Sequence, residues 1–137
     1  LDESRPDLKQ WDVEQTIELA KIVADKGVDV IDVSTGGVHS DQHPHSGPSY
    51  QAPFAKKIKD ALGDKLIVGT VGMITEGKQA QGLLDEGLDI IVVGRAFLKN
   101  PGLVFSWGDE LGVDVNMPNQ IRWGFSGRGK KGGGDKS

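Results

Sequence analysis

A short pattern that occurs three times constrains the fold of this chain more than any other feature. Each copy starts at a glycine that ends a helical pattern and passes through a polar residue into a short apolar run, at 27–33, 63–69 and 87–93. Strands that alternate with helices of about 10 to 15 residues pair in parallel through crossover connections. The repeat therefore predicts an α/β fold with a parallel sheet.

The helices between these strands have recognisable start signals. Asp12, with Gln15 three residues later, predicts a capping box on the first helix. Pro53 suits the first turn of the second helix, and Thr75 is the predicted cap of the third. The β-branched run at 89–93 is typical of a strand buried on both faces.

The chain is too short for a complete barrel of such units. A closed (β/α)₈ TIM barrel needs about 250 residues, whereas this chain has 137 and begins with Leu1. We expect a fragment or processed piece, in which residues 1–123 are the C-terminal portion of a TIM-barrel domain.

The C-terminal region carries weaker signals. A further helix is expected at about 103–111, followed by an irregular segment at 113–123 that is anchored by Pro118, Ile121 and Trp123. Residues 124–137 form a basic, glycine-rich stretch with too little apolar surface to fold, so we expect a disordered tail.

Composition argues against several classes of function. The net charge of −4 disfavours a general nucleic-acid or membrane-surface role, and no apolar run is long enough to span a bilayer. The chain has no cysteine, hence no disulfide and no thiolate site. His39, His43 and His45 lie close together, but Pro44 and the flanking glycines and serines indicate a loop, so we predict no metal site.

Two consecutive strands end in glycine, at Gly72-Met73 and at Gly94-Arg95. The carboxyl ends of parallel strands carry the active sites of barrels, and glycine lets an anion approach backbone amides there. A guanidinium can bind two phosphate oxygens at once. The pattern favours a phosphate-bearing ligand; the alternatives are simple turn geometry and an arginine paired with a carboxylate.

Four ordered motifs resemble the old yellow enzyme family, most closely its thermophilic-like subgroup of flavin-dependent NADPH dehydrogenases or ene reductases. The resemblance covers about residues 11–123. The motifs are Ile-Asp-Val-Ser-Thr-Gly-Gly at 31–37, Tyr-Gln-Ala-Pro-Phe-Ala at 50–55, Val-Gly-Met-Ile-Thr at 71–75 and Val-Gly-Arg-Ala-Phe-Leu-Lys-Asn-Pro at 93–101.

The resemblance implies an FMN-containing barrel enzyme that transfers a hydride from NADPH through FMN to an activated alkene. It also implies a cytoplasmic, homo-oligomeric full-length protein. The residues that would bind the cofactor, with the FMN phosphate on the second and third strand ends, are Ser34, Gly36, Gly37, Gly72, Met73, Gly94 and Arg95.

The catalytic residues of the family would precede Leu1, so we assign none within this chain. The isolated piece is expected to bind FMN weakly and to be inactive. Two alternatives remain. Another FMN or phosphate-binding barrel, such as a dihydroorotate-dehydrogenase-like protein, would share the glycine strand ends but not the motif at 50–55. A truncated half barrel without catalytic function is the other.

Overall fold

The computed structural model describes residues 7, 10–37, 40, 42 and 45–126. Helices and strands alternate up to the third strand and are followed by three helices. They are α1 Val13–Asp25, β1 Val30–Val33, α2 Ala52–Leu62, β2 Ile67–Val71, α3 Gly77–Asp85, β3 Ile90–Val92, α4 Arg95–Lys99, α5 Leu103–Leu111 and α6 Asn119–Ser126, with a short 3₁₀ helix at Gly63–Lys65. Within these ranges no helix is long and apolar enough to cross a membrane.

The three strands form one parallel sheet in the order β1-β2-β3, which confirms the predicted α/β fold. In the register of the sheet, Thr70 lies opposite Val33 on one side and Ile91 on the other. Because all three strands run in the same direction, their carboxyl ends share one edge of the sheet. The loops that follow them must therefore be neighbours.

The helices cover one face of the sheet. Val68 of β2 is fully buried there, as are Ala55 and Ile58 of α2, which packs on this strand. The core cluster consists of Ala20, Val33, Ala52, Ala55, Ile58, Leu62, Leu66, Val68, Ile74, Ala80, Leu83 and Leu88. Side chains alternate between the two faces of a strand, so every second strand residue points away from this core.

The opposite face of the sheet is open, and the prediction that the third strand is buried on both faces is wrong. Val30, Ile67 and Ile90, one from each strand, are 46%, 44% and 37% exposed. Asp32 lies on the same face, opposite Gly69. Burial of both faces requires further strands that curl around to cover this side, and three strands cannot cover themselves. We call Val30, Ile67 and Ile90 the open face.

The helix starts follow the sequence signals in one case and depart from them in another. α1 begins with the predicted capping box: the Gln15 amide donates to Asp12 Oδ1 at 2.9 Å, and the Asp12 amide donates to Gln15 Oε1 at 3.0 Å. α3 instead starts at Gly77, and no side-chain cap comes from Thr75 or Glu76. The prediction for Thr75 is therefore wrong.

The C-terminal helix α5 matches its prediction, but the segment after it does not. Residues 119–126 form the helix α6, where the end of the irregular segment 113–123 and the start of the tail were expected, because the Pro118 carbonyl accepts the amides of Ile121 and Arg122 and so starts a helical turn. Ile121 and Trp123 are 44% and 68% exposed, so they are not anchors. The predicted tail starts inside α6, and its residues 127–137 lie outside the described residues.

Candidate functional site

All seven predicted cofactor-binding residues lie at the carboxyl edge of the sheet. Ser34, Gly36 and Gly37 follow β1; Gly72 and Met73 follow β2; Gly94 and Arg95 come within three residues of the end of β3. Val71 pairs with Val92, so the loops after β2 and β3 are adjacent, while the loop after β1 lies on the other side of β2.

The turn after β2 is closely packed. Gly72 has φ +126°, and a Cβ at this position would lie 2.7 Å from Cε1 of Tyr50 and 3.0 Å from Nε2 of Gln51. Met73 follows with φ +48°, a left-handed conformation that is uncommon for residues other than glycine. The Met73 carbonyl accepts a hydrogen bond from Gln79 Nε2 at 3.0 Å. Side chains on both sides thus hold this backbone in place.

Gln51 connects the loops after β1 and β2, a role that the sequence analysis missed. Its Nε2 donates to the Val71 carbonyl at 2.7 Å, and its Oε1 accepts from both the amide and the hydroxyl of Thr35. Gln51 is only 3% exposed. A buried amide that satisfies donors and acceptors on two strand ends fixes their separation.

The turn after β3 is open. A Cβ at Gly94 would meet no atom within 4 Å, and Arg95 is exposed. In the part of the chain that the structure describes, the Arg95 guanidinium makes no ion pair and no side-chain hydrogen bond. Among the described residues, Arg95 is therefore not paired with a carboxylate. The helix α4 that follows has only five residues, so its dipole is small and the guanidinium supplies the positive charge next to Gly94.

The start of α3 is already occupied by a carboxylate of the protein. Glu110 of α5 accepts the Gly77 amide at 2.7 Å and the Lys78 amide at 3.0 Å. These bonds, that from Lys78 most strongly, lower the pKa of Glu110 below its usual value. The first amides of α3 are therefore bound to Glu110 in this structure.

A partly exposed ion pair lies at the other end of the sheet, where the strands begin. Asp89 accepts the Val68 amide at 2.8 Å and lies 3.0 Å from Lys59 Nζ. The hydrogen bond from Val68, followed by the contact with Lys59, lowers the pKa of Asp89, and the Asp89 contact raises the pKa of Lys59. Because active sites of parallel barrels lie at the carboxyl ends, we assign this pair to stability.

An apolar groove and the clustered histidines remain. A shallow apolar groove on the outside of α1 is lined by Trp11, Leu19 and Ile22, and it contains none of the predicted cofactor-binding residues. Of the three clustered histidines, His39 and His43 lie outside the described residues.

The fold defines a parallel α/β protein that exposes an arginine, Arg95, near the carboxyl edge of its sheet. The structure of DHODH from Eimeria tenella in complex with ferulenol has a similar fold: the TM-score is 0.53 over 76% of this chain and 33% of that chain, at 13% identity. At this identity the likeness concerns the fold alone. No family model matches the sequence.

Curated relatives are much closer in sequence. An NADH:flavin oxidoreductase of Gibberella zeae is 48% identical over 126 residues, which are 90% of this chain and 30% of that protein. NADPH dehydrogenases of Listeria monocytogenes and Bacillus pumilus are 39% and 37% identical over 79% and 82% of the chain. The chain is thus similar over 79–90% of its length to NADH:flavin oxidoreductases and NADPH dehydrogenases, which confirms the resemblance to the old yellow enzyme family that its motifs indicated. It spans about 30% of the length of these relatives.

Proposed function

We propose that the polypeptide containing this segment is an FMN-dependent oxidoreductase that transfers a hydride from NADPH through FMN to an activated alkene. The segment supplies the last part of its (β/α)₈ barrel. The proposal is supported by the flavin and NADPH named for the relatives, and by the parallel αβ units of the fold. The chain matches about 30% of the length of these relatives, and the proposal concerns the whole protein.

One observation carries the proposal: an exposed arginine, without a carboxylate partner among the described residues, follows directly on an unhindered glycine at the carboxyl edge of the sheet. The FMN phosphate is a dianion, and two of its oxygens can accept the two parallel N–H groups of the Arg95 guanidinium. The open space at Gly94 lets the phosphate approach the backbone. The residues present therefore fit the phosphate end of the cofactor.

We further propose that Gly72 and Met73 border the same phosphate from the neighbouring strand end, and that Ser34, Gly36 and Gly37 line the cofactor from the loop after β1. When bound, FMN supplies the hydride-transfer chemistry. The residues of this segment bind and orient the cofactor. The groups that grip the substrate carbonyl and donate a proton would be contributed by the rest of the protein.

The open face supports the barrel part of the proposal. Val30, Ile67 and Ile90, one from each strand, present exposed apolar side chains on the side away from the helices. In a closed barrel this side is the interior, which is filled by layers of branched apolar side chains from other strands. The remaining strands of the full-length protein would cover it.

The phosphate site is tested by comparing FMN with riboflavin, which lacks the phosphate. In the full-length apoenzyme, R95A is expected to weaken FMN binding by about tenfold to a hundredfold, because a hydrogen-bonded charge contact contributes about 1.5–3 kcal/mol. Riboflavin binding should not change. K99A, which removes an exposed cation from the same helix, is the control. Equal losses for FMN and riboflavin in R95A would refute the site.

For the isolated 137-residue chain we expect weak FMN binding and no oxidation of NADPH, because only the phosphate end of the cofactor is contacted. Titration monitored by flavin fluorescence measures the first, and absorbance of NADPH the second. Stoichiometric FMN binding at micromolar concentration, or steady NADPH oxidation, would contradict this expectation.

A further inference from the structure

The helix that carries Arg95 is not held by its own packing. α4 has five residues, and none of its side chains is buried. It is joined to β3 at one end and to α5 at the other. The position of the guanidinium therefore depends on how firmly these two neighbours are fixed.

The connection from α4 to α5 is stiff. The Asn100 amide donates to the Ala96 carbonyl at 2.9 Å and closes α4. The Asn100 side chain then accepts the Gly102 amide at 3.0 Å and donates to Ser106 Oγ at 3.0 Å. Because Asn100 is bonded on both sides of the connection, a displacement of α5 would carry α4 with it.

α5 is in turn attached to the start of α3 by three contacts. Glu110 binds the amides of Gly77 and Lys78 with its two carboxylate oxygens. Trp107 Nε1 donates to the Thr75 carbonyl at 3.3 Å. The helices also approach closely, since a Cβ at Gly77 would lie 3.0 Å from Cβ of Trp107. Thr75 and Gly77 belong to the segment that continues from Gly72 and Met73 into α3.

We infer that Glu110 is a positioning residue for the flavin phosphate: by binding the first amides of α3 it fixes α5, and through Asn100 it holds Arg95 beside the turn after β2. The inference rests on the proposed function, in which Arg95 binds the phosphate. Glu110 itself does not contact the cofactor. Together with the hydrogen bond from Trp107 to Thr75, its two hydrogen bonds join the β2–α3 side of the site to the β3–α4 side.

The test measures dissociation constants of FMN and riboflavin for the full-length apoenzyme. E110A is expected to weaken FMN binding about tenfold while riboflavin binding stays at the wild-type value, because only the phosphate contact is displaced. E110Q, which keeps one acceptor oxygen, should recover part of the loss. The control is E86A, which alters an exposed carboxylate at the other end of α3.

A second measurement separates positioning from general stability. In an R95A background, E110A should produce no further loss of FMN affinity, because the contact through which Glu110 acts is already absent. A tenfold additional loss in that background, or equal losses of FMN and riboflavin in both E110A and E110Q, would overturn the inference.

The outcomes also distinguish this inference from the proposed function. If R95A weakens FMN binding selectively but E110A does not, the role of Glu110 is overturned and the phosphate site stands. If the wild-type enzyme binds FMN and riboflavin equally well, the phosphate site fails and the inference fails with it.

Discussion

At the scale of single residues, Gly72 shows how a missing side chain shapes the site. Its backbone has a positive φ, and Tyr50 and Gln51 fill the space that a side chain would need. The sequence indicated a glycine that lets a ligand approach. The structure indicates that Gly72 also lets Tyr50 approach, and this packing holds the turn after β2.

G72A is expected to lower the free energy of unfolding by about 1–3 kcal/mol, because the added methyl group would overlap the Tyr50 ring. G82A is the matched control. Gly82 is inside α3 and a Cβ there meets no atom within 4 Å, so alanine should raise the free energy of unfolding by about 0.5–1 kcal/mol. Urea denaturation measures both changes. Equal effects of the two substitutions would contradict the close packing at Gly72.

Asp89 predicts how stability depends on pH. Its pKa is lower in the folded chain than the ordinary value of 3.8, so its stabilising contribution is present above that value and is lost as the pH falls through the folded pKa. D89N should therefore reduce the loss of stability between pH 7 and about pH 3. Unfolding in urea at the two pH values measures this.

The control for D89N is the corresponding residue of the first repeat. Asp29 also precedes its strand, but its side chain makes no hydrogen bond to another residue in the described part of the chain. D29N removes one carboxylate and no such hydrogen bond, so it separates the loss of a charge from the loss of these contacts. If D89N keeps the pH dependence of the wild type, the hydrogen bonds of Asp89 do not contribute as described.

At the scale of elements, the local signals in the sequence were sufficient for most boundaries. The capping box of α1 needs only residues three apart, and α5 was predicted over the range that it occupies. The start of α3 could not be predicted in this way, because its cap, Glu110, is 33 residues away in sequence. Gln51 likewise binds Val71, which is 20 residues away. Contacts of this kind depend on the fold as a whole.

The capping box gives a prediction for α1. D12A should lower the free energy of unfolding by about 1 kcal/mol, because the Gln15 amide loses its acceptor. D12N keeps an acceptor oxygen and should lower the free energy of unfolding by at most about a few tenths of a kcal/mol. Chemical denaturation compares the two variants. Equal losses would mean that the charge of Asp12, and not its hydrogen bond, stabilises the helix.

At the scale of the whole molecule, the open face is the feature that the sequence did not reveal. A run of β-branched residues predicts burial on both faces, but burial depends on which strands surround the sheet. Three strands leave one side of the sheet exposed, although the residues themselves have the composition of a barrel interior. The parallel order and the shared carboxyl edge, by contrast, followed from the repeat alone.

The open face predicts that the isolated chain self-associates. Exposed apolar surface promotes association, and I67K should reduce this association while changing the free energy of unfolding by less than about 0.5 kcal/mol, because Ile67 is already exposed. L84K, at an exposed leucine on α3, is the control. Sedimentation velocity measures the oligomeric state. Equal effects of I67K and L84K would show that association uses another surface.

The central claim is that the strand ends at Gly72 and Gly94 together with Arg95 form one site for the phosphate of FMN. A crystal structure of the full-length protein with FMN tests it most directly. We predict that the Arg95 guanidinium lies within hydrogen-bonding distance of two phosphate oxygens and that Gly94 is in contact with the phosphate. A phosphate bound elsewhere, with Arg95 paired to a carboxylate, would contradict the account.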